Sequence, residues 1–504
     1  MGIVFRQSAK NAIVVVSGAV LGAVIMWLSA QYIPDKHKFG FTQDLTVMSV
    51  IFAQIMLVGL SSTLSVYIHR FVDDENKRKV LITLSFLIPG ILIILASVFY
   101  FLFRSVIIKS FQPQDIPLMQ RFYGWLPVYT LLFMYQLLME QYLSSQMKVA
   151  IAGFIREVVI RLLNIILLSL FAFHYITFDT LVAGIVLVYI VSVAVCLVLS
   201  FKTPAFGFSL RLRSFNREEY KDMVKFSWYH FLLNAALMFM AFMDMMLLPF
   251  YDKNGFGSVA TYRISVFLIV VLSIPAKALM PASFTDMARA FNDKNMVKAK
   301  DIFTRSSINI LIPTVCIAVL LFCNLRNVVA VIQNNYSAVI PVFSILFIGN
   351  LINIGTGMND QVLSIANYYK FNFYLSLFLI VVLYILLRFS IPRYGIYGAA
   401  WSNTITVMLF NIIKYLFIRK KVGMQPFTHG TLLIILAGIP ALAAGYYFPY
   451  FFEPARHIYV HTFLDAIMRS FIIVVVYVGM LLWLKPSPDL QEYILSIRKN
   501  KRLF

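Results

Sequence analysis

Charge is what this chain has least of. Asp, Glu, Lys and Arg make up 13% of its 504 residues, about half the usual share in a soluble protein, where it is about 25%. A water-facing surface needs more, so a soluble enzyme or binding domain is excluded. Acid is scarcer than base: 22 Asp+Glu stand against 43 Lys+Arg, a formal charge of +21. Cysteine is nearly absent. Cys196, Cys316 and Cys323 each fall inside an apolar run, and no His or carboxylate accompanies the last two, which are seven residues apart. They imply no disulfide framework and no thiolate metal site, only inert packing. His457 and His461 share a helical spacing but lack a third ligand, so no metal and no cofactor is expected. There is no nucleophile elbow, Walker loop or nucleotide fingerprint. The basic residues sit at the ends of apolar runs and form no basic patch with interleaved aromatics, which excludes nucleic acid.

Long polar stretches are missing as well. Hydrophobic residues fill 61% of the chain and gather in about fourteen runs: 8–31, 45–69, 80–103, 118–142, 152–174, 179–201, 223–249, 257–282, 304–325, 337–359, 371–390, 396–418, 429–449 and 463–484. Each is roughly 20 residues or longer, enough to cross a hydrocarbon core of about 30 Å. In lipid the backbone must satisfy its own hydrogen bonds, so these runs predict helices. The expectation is an all-α polytopic membrane protein with about 14 transmembrane helices. Run 8–31 is too long for a signal-peptide core, and no A-x-A pattern follows it, so it is expected to remain as the first membrane helix.

The loops alternate in charge. With the N-terminus inside, 29 of the 43 Lys+Arg fall on the inner side, ten outside and four within spans. The positive-inside rule then puts both termini in the cytoplasm. Trp27, Trp125, Trp228, Trp401 and Trp483 lie near span ends, where indole rings favour the headgroup level. The longest inner loop, 202–222, separates six spans from eight. A faint echo links Leu143-Ser144-Ser145…Lys148 with Leu363-Ser364…Lys370 six spans later, as a six-plus-six repeat would.

The most distinctive local sequence is Ile391-Pro392-Arg393-Tyr394-Gly395-Ile396-Tyr397-Gly398-Ala399-Ala400-Trp401-Ser402. It reads as an outer turn followed by a small-residue helix start that admits a close neighbour. This resembles an element of the polysaccharide-exporter branch of the multidrug/oligosaccharidyl-lipid/polysaccharide (MOP) exporter superfamily, the branch of the O-antigen and capsule repeat-unit flippases. Val259-Ala260-Thr261-Tyr262 resembles that family's entry to helix eight, with Ala260 in place of glycine. Pro275 and Pro281, Phe291-Asn292-Asp293-Lys294, and Tyr336 to Pro341 fall in the matching order.

The resemblance implies two pseudo-symmetric six-helix bundles, 1–222 and 223–428, and two extra transmembrane helices with a basic tail, 429–504. It implies a flippase, not an enzyme, that moves a polyprenyl-pyrophosphate-linked oligosaccharide from the inner to the outer leaflet by alternating access. The setting would be surface polysaccharide (lipopolysaccharide, O-antigen) biosynthesis in a bacterial cytoplasmic (inner) membrane, with H+ or Na+ as candidate coupling ions. The alternatives are a MATE-like drug/cation antiporter or a peptidoglycan-precursor flippase in the same superfamily, and a membrane glycan polymerase or acyltransferase. Carboxylates in the cavity would favour the antiporter, and a long outer loop the enzyme.

Ionisable residues within spans cost at least about 2.5 kcal/mol each and face protein or water. Arg161, Arg263, Lys277 and Arg469 are the basic ones, and Asp244 is the clearest acid. Arg161, near mid-span, could offer a planar fork to a diphosphate or be held by a backbone carbonyl or a carboxylate such as Glu157. Asp244 and Arg263, at similar depth on consecutive helices, are expected to pair, as a coupling element or a plain salt bridge. Lys277 would line a cavity or reach the headgroups. Asn234, Asn350 and Asn353 are candidates for sugar hydroxyls or for interhelical bonding.

Overall fold

The apolar runs do form helices. The computed structural model describes residues 2–146, 148–203, 206–211, 214–332, 336–449, 458–487 and 489, without the side chains of 2–16, 149, 150, 282, 458 and 459. In chain order the helices are α1 (Gly2–Tyr32), α2 (Lys36–Met56), α3 (Leu60–Arg70), α4 (Glu75–Leu102), α5 (Arg104–Lys109), α6 (Ile116–Phe122) and α7 (Trp125–Ser145). Then come α8 (Val149–Phe154), a π-helical turn (Ile155–Val159), α9 (Ile160–Ala172), α10 (Phe178–Phe201), α11 (Arg217–Tyr251), α12 (Phe256–Leu272) and α13 (Ile274–Asn292). The chain continues as α14 (Met296–Val331), α15 (Val339–Gly355), α16 (Asn359–Ile365), α17 (Tyr369–Lys421), α18 (His429–Tyr447) and α19 (Ile458–Leu484). The protein is an all-α, multi-pass membrane protein. Its helices turn apolar side chains such as Ile94, Leu95 and Val98 of α4 and Phe463, Ile467 and Phe471 of α19 outward, as a lipid-facing surface requires.

Among the described residues nine helices are long and apolar enough to cross a membrane, or up to eleven if each of two bent pairs is one span. Three features account for the distance from fourteen. Run 8–31 lies in α1 (Gly2–Tyr32), of which the part with described side chains is Ser17–Tyr32. Run 152–174 is divided by the π turn. Runs 371–390 and 396–418 are two helices that meet at a kink at Gly395, and the single stretch α17 holds both.

That interruption explains the IPRYGIYGAA element. Gly395 has φ 58° and ψ −136°, a conformation open to glycine but not to a β-substituted residue. Three residues on, a Cβ on Gly398 would lie 2.4 Å from the Ser390 carbonyl oxygen, and Ser390 Oγ donates to the Gly398 carbonyl at 3.0 Å. Ala399 and Ala400 are fully buried. The small residues let the new helix leave hard against the old one.

The chain divides into two compact units, residues 1–263 with 380–399 and residues 264–379 with 400–504. The first runs beyond the expected lobe end at 222 because α11 packs on α2 and α3. Ser227 Oγ of α11 donates to the Val58 carbonyl at 2.7 Å. Segment 380–399 joins through Arg388, whose guanidinium lies 4.7 Å from the centre of the Tyr251 ring. The core of this unit includes Leu57, Leu64, Ile82, Met134, Leu138 and Tyr142. The second unit has one core where α18 and α19 close on α14, through Ile434, Ala437, Ala441, Ile473, Tyr477 and Cys323. Another holds Met287, Phe303, Val362 and Ile418.

Candidate functional site

The first unit gathers most of the intramembrane charge. The π turn adds a residue to the α8–α9 helix, and the widened turn carries Arg156 and Glu157 just ahead of Arg161. Arg156 bonds Glu140 of α7 and, at 3.0 Å, Glu157. Arg161 pairs with Glu157 at 2.5 Å and also donates to the Gly18 carbonyl of α1. A Cβ on Gly18 would lie 2.6 Å from the Glu157 carboxylate, so glycine is what brings α1 close enough. Arg161 therefore has both kinds of structural partner named from the sequence, and the set of two acids and two bases is neutral.

Arg263 is different. The expected Asp244–Arg263 pair is not formed, and the cause is helical geometry. Tyr262 and Arg263 are consecutive on α12 and so point about 100° apart. Tyr262, fully buried, donates its hydroxyl to Asp244, which also accepts from the Met245 N–H at 2.8 Å. Arg263 turns the other way and donates from Nε to Gln43 of α2 at 3.2 Å. It feels the charge of Arg161 and the Tyr129 hydroxyl, and no carboxylate pairs with it among the described residues. Tyr189 extends the polar surface, interacting with Tyr129 and Arg161. The arrangement is a half-buried guanidinium with excess positive charge, ringed by hydroxyl and amide groups. Chemically it can receive an anion. Asn234 lies half-buried on α11 in the same unit, apart from these contacts.

In the second unit the predicted residues do not converge. Lys277 is exposed in the first turn of α13, just past the break at Ser273. Asn350 bonds the Leu346 carbonyl of its own helix at 3.0 Å. Asn353 accepts from Asn411 at 3.0 Å, and Asn411 in turn accepts from Thr356 at 3.1 Å. This is interhelical bonding between α15 and α17. Among the described residues no group of His, Cys, Asp and Glu could hold a metal. His457 lies outside them.

No family model and no curated protein sequence matches the chain. Solved structures do. The lipid II flippase MurJ, in an inward closed conformation, matches with a TM-score of 0.71 at 16% identity over 94% of this chain and 99% of that one. An inward-facing multidrug resistance MATE family transporter of the MOP superfamily matches with a TM-score of 0.65 at 15% identity over 82% and 98%. A MOP superfamily transporter from Pyrococcus furiosus, whose binding pocket is described as reversed in polarity, matches with a TM-score of 0.52 at 15% identity over 83% and 95%. The fold is that of the MOP transporters. Likeness at such identity is one of architecture alone, and function is to be argued from this chain's own side chains.

Three paired or buried acids escaped the sequence, two of them, Asp44 and Asp465, buried and the third, Asp360, exposed. Asp360, just past run 337–359, accepts from Lys414 with both oxygens at 3.0 Å, and Lys414 is fully buried over the Phe410 ring. Asp465 takes the fork of the fully buried Arg469, again at 3.0 Å twice. Asp44 is 5% exposed on α2. Asp465 sits four residues before Arg469, an i,i+4 spacing that could have flagged the pair. Asp44 lies one residue before a predicted span and reads as a loop acid. The Val259-Ala260-Thr261-Tyr262 element is buried throughout, so its role is close packing at the start of α12.

Proposed function

We propose that the chain is a transporter that flips a polyprenyl-pyrophosphate-linked oligosaccharide from the inner to the outer leaflet of a bacterial cytoplasmic membrane. One observation carries the reading: Arg263, a guanidinium that no described carboxylate pairs, stands beside Arg161 inside a helical unit. An unpaired cation in a membrane protein is costly unless something anionic or water visits it. A diphosphate matches its charge and planar donors, and the nearby Gln43, Tyr129 and Tyr189 suit sugar hydroxyls. The cycle would be alternating access between lobes 1–222 and 223–428, with 429–504 added. The basic bias of the loops supports a cytoplasmic side for both termini. Asn234, half-buried on α11, is a further cargo contact of the first unit in this proposal, and Lys277, exposed on α13, is one of the second unit by itself.

A second reading, a peptidoglycan-precursor flippase, is favoured by the greater share of this chain that MurJ covers, 94% against 82% for the MATE transporter. Depletion in the native host decides between them. Accumulation of a lipid-linked oligosaccharide repeat unit on the inner leaflet supports the first. Accumulation of the peptidoglycan precursor supports the second. Neither lipid accumulating would refute both.

A further inference from the structure

Two carboxylates of opposite circumstance meet near the start of α2. Asp115, in the turn before α6, is fully buried and fully engaged. Its Oδ1 lies 2.7 Å from His37 Nδ1, and its Oδ2 accepts from the Phe256 N–H at 2.8 Å. With His37 protonated the pair is neutral. Asp44 lies two turns beyond His37 on the same helix and is 5% exposed. Its Oδ1 is buried and accepts no hydrogen bond. The charged or titratable groups that face it are Asp115 and Tyr100. Among the described residues no ion pair joins Asp44 to a base, and His37 and Arg104 bond elsewhere, to Asp115 and to the Gln120 carbonyl.

An ionised carboxylate in that place would have a donorless oxygen and a like charge for a neighbour. Burying such an ion costs several kcal/mol, and the usual outcome is that the group neutralises instead. The seal over it is local. The turn between α11 and α12 lies directly on α2, so that a Cβ on Gly40, one turn before Asp44, would sit 1.7 Å from the Phe256 carbonyl oxygen. The same turn is clasped by Gln112 Nε2 on the Phe250 carbonyl at 3.1 Å, by Gln114 Nε2 on the Lys253 carbonyl at 2.7 Å, and by Asp115 on the Phe256 N–H. Parting these contacts would admit water beside Asp44 and make its ionised form affordable.

We propose that Asp44 is a proton-binding site, holding its proton while the α11–α12 turn is clasped to α2 and releasing it to water when that clasp opens. The transferred species is H+ alone, leaving the Asp44 carboxylate behind. Proton binding stands by itself. Its use as the coupling step rests on the transporter reading above.

The test uses the full-length protein reconstituted in liposomes. Infrared difference spectra against pH should show a protonated-carboxyl C=O band that titrates away as pH rises. The band should be lost in Asp44→Asn, kept in Asp44→Glu at a shifted frequency, and unchanged in Asp301→Asn, where the acid is exposed and paired with Arg305. Asn is isosteric with the neutral acid, so Asp44→Asn should fold. A band that persists in Asp44→Asn, or that responds to Na+ at fixed pH and not to pH, overturns the proposal. So does a misfolded Asp44→Asn together with a spectrally silent Asp44→Glu. If the band behaves as expected, cargo movement that ignores an imposed pH gradient in both parent and Asp44→Asn would refute the coupling role and leave the site standing.

Discussion

Replacing Arg469 by alanine should be among the most damaging single changes in the second unit. Arg469 is fully buried and Asp465 is 3% exposed. Its guanidinium makes two parallel bonds to that carboxylate and two more to the Gly445 and Phe448 carbonyls. Those carbonyls end α18, where the helix has no donors of its own left. Removing one partner of a buried pair costs about 3–5 kcal/mol. The freed carbonyls belong to that same loss and are not added to it. At 1.4 kcal/mol per decade this is roughly two to three and a half powers of ten in the folding equilibrium. The loss should separate by cause. Arg469→Ala with Asp465→Asn removes the stranded charge but still leaves the carbonyls open, so it should recover at least half of the deficit. Arg469→Lys keeps charge without the fork and should fall between. Asn327 Nδ2, which donates to Asp465 at 2.6 Å and also to Asn324 at 3.1 Å, keeps one partner throughout. The assay is thermal unfolding of the purified protein in one detergent, read by intrinsic fluorescence. A parental melting temperature for Arg469→Ala, or a double mutant less stable than the single one, would refute the reasoning.

Arg263→Gln should leave the amount of folded protein near parental and reduce cargo movement more than tenfold, while Arg263→Lys keeps the charge and is expected to retain part. Equal transport by Arg263→Gln and parent would remove the anion-binding reading. Arg161→Ala should lower stability by about 1.5–3 kcal/mol, since it forfeits charged hydrogen bonds to Glu157 and Gly18 while Arg156 still holds Glu157. Its surface glycan per folded protein tells packing from cargo contact. Gly398→Val should cost about 1–3 kcal/mol in thermal unfolding by forcing α17 off the Ser390 carbonyl. Reporter fusions after Lys77, Asn216 and Asn292 should read cytoplasmic and one after Lys38 external. A cytoplasmic signal at Lys38 would defeat the assigned orientation.

Much of the fold was legible because its causes are local. A run of some twenty apolar residues has one way to satisfy its backbone in lipid, so the helices followed from composition and length. Gly395, Gly398, Ala399 and Ala400 read as a turn with a close helix exit, and that is what they build. Local reading also named two structural partners that Arg161 has, a backbone carbonyl and Glu157, beside the cargo role it offered. It went astray where the outcome depended on which way a side chain points. Asp244 and Arg263 had matching depth and opposite charge, yet the 100° step from Tyr262 to Arg263 hands Asp244 to the tyrosine.

The sequence by itself determined that the chain is helical, lodged in a membrane and more basic than acidic, since these depend on hydropathy summed over whole segments. Only the tertiary structure decided which charges cancel. Glu140, Glu157, Arg156 and Arg161 neutralise one another. Lys414 takes Asp360, and Arg469 takes Asp465. Among the described residues Arg263 is left as a cation without a carboxylate and Asp44 as an acid without a base. The physical reason is range. An apolar run acts through the average of about twenty residues, whereas an ion pair needs atoms within a few ångströms, and those atoms come from helices as distant in sequence as α4 and α11, where Lys77 meets Glu219.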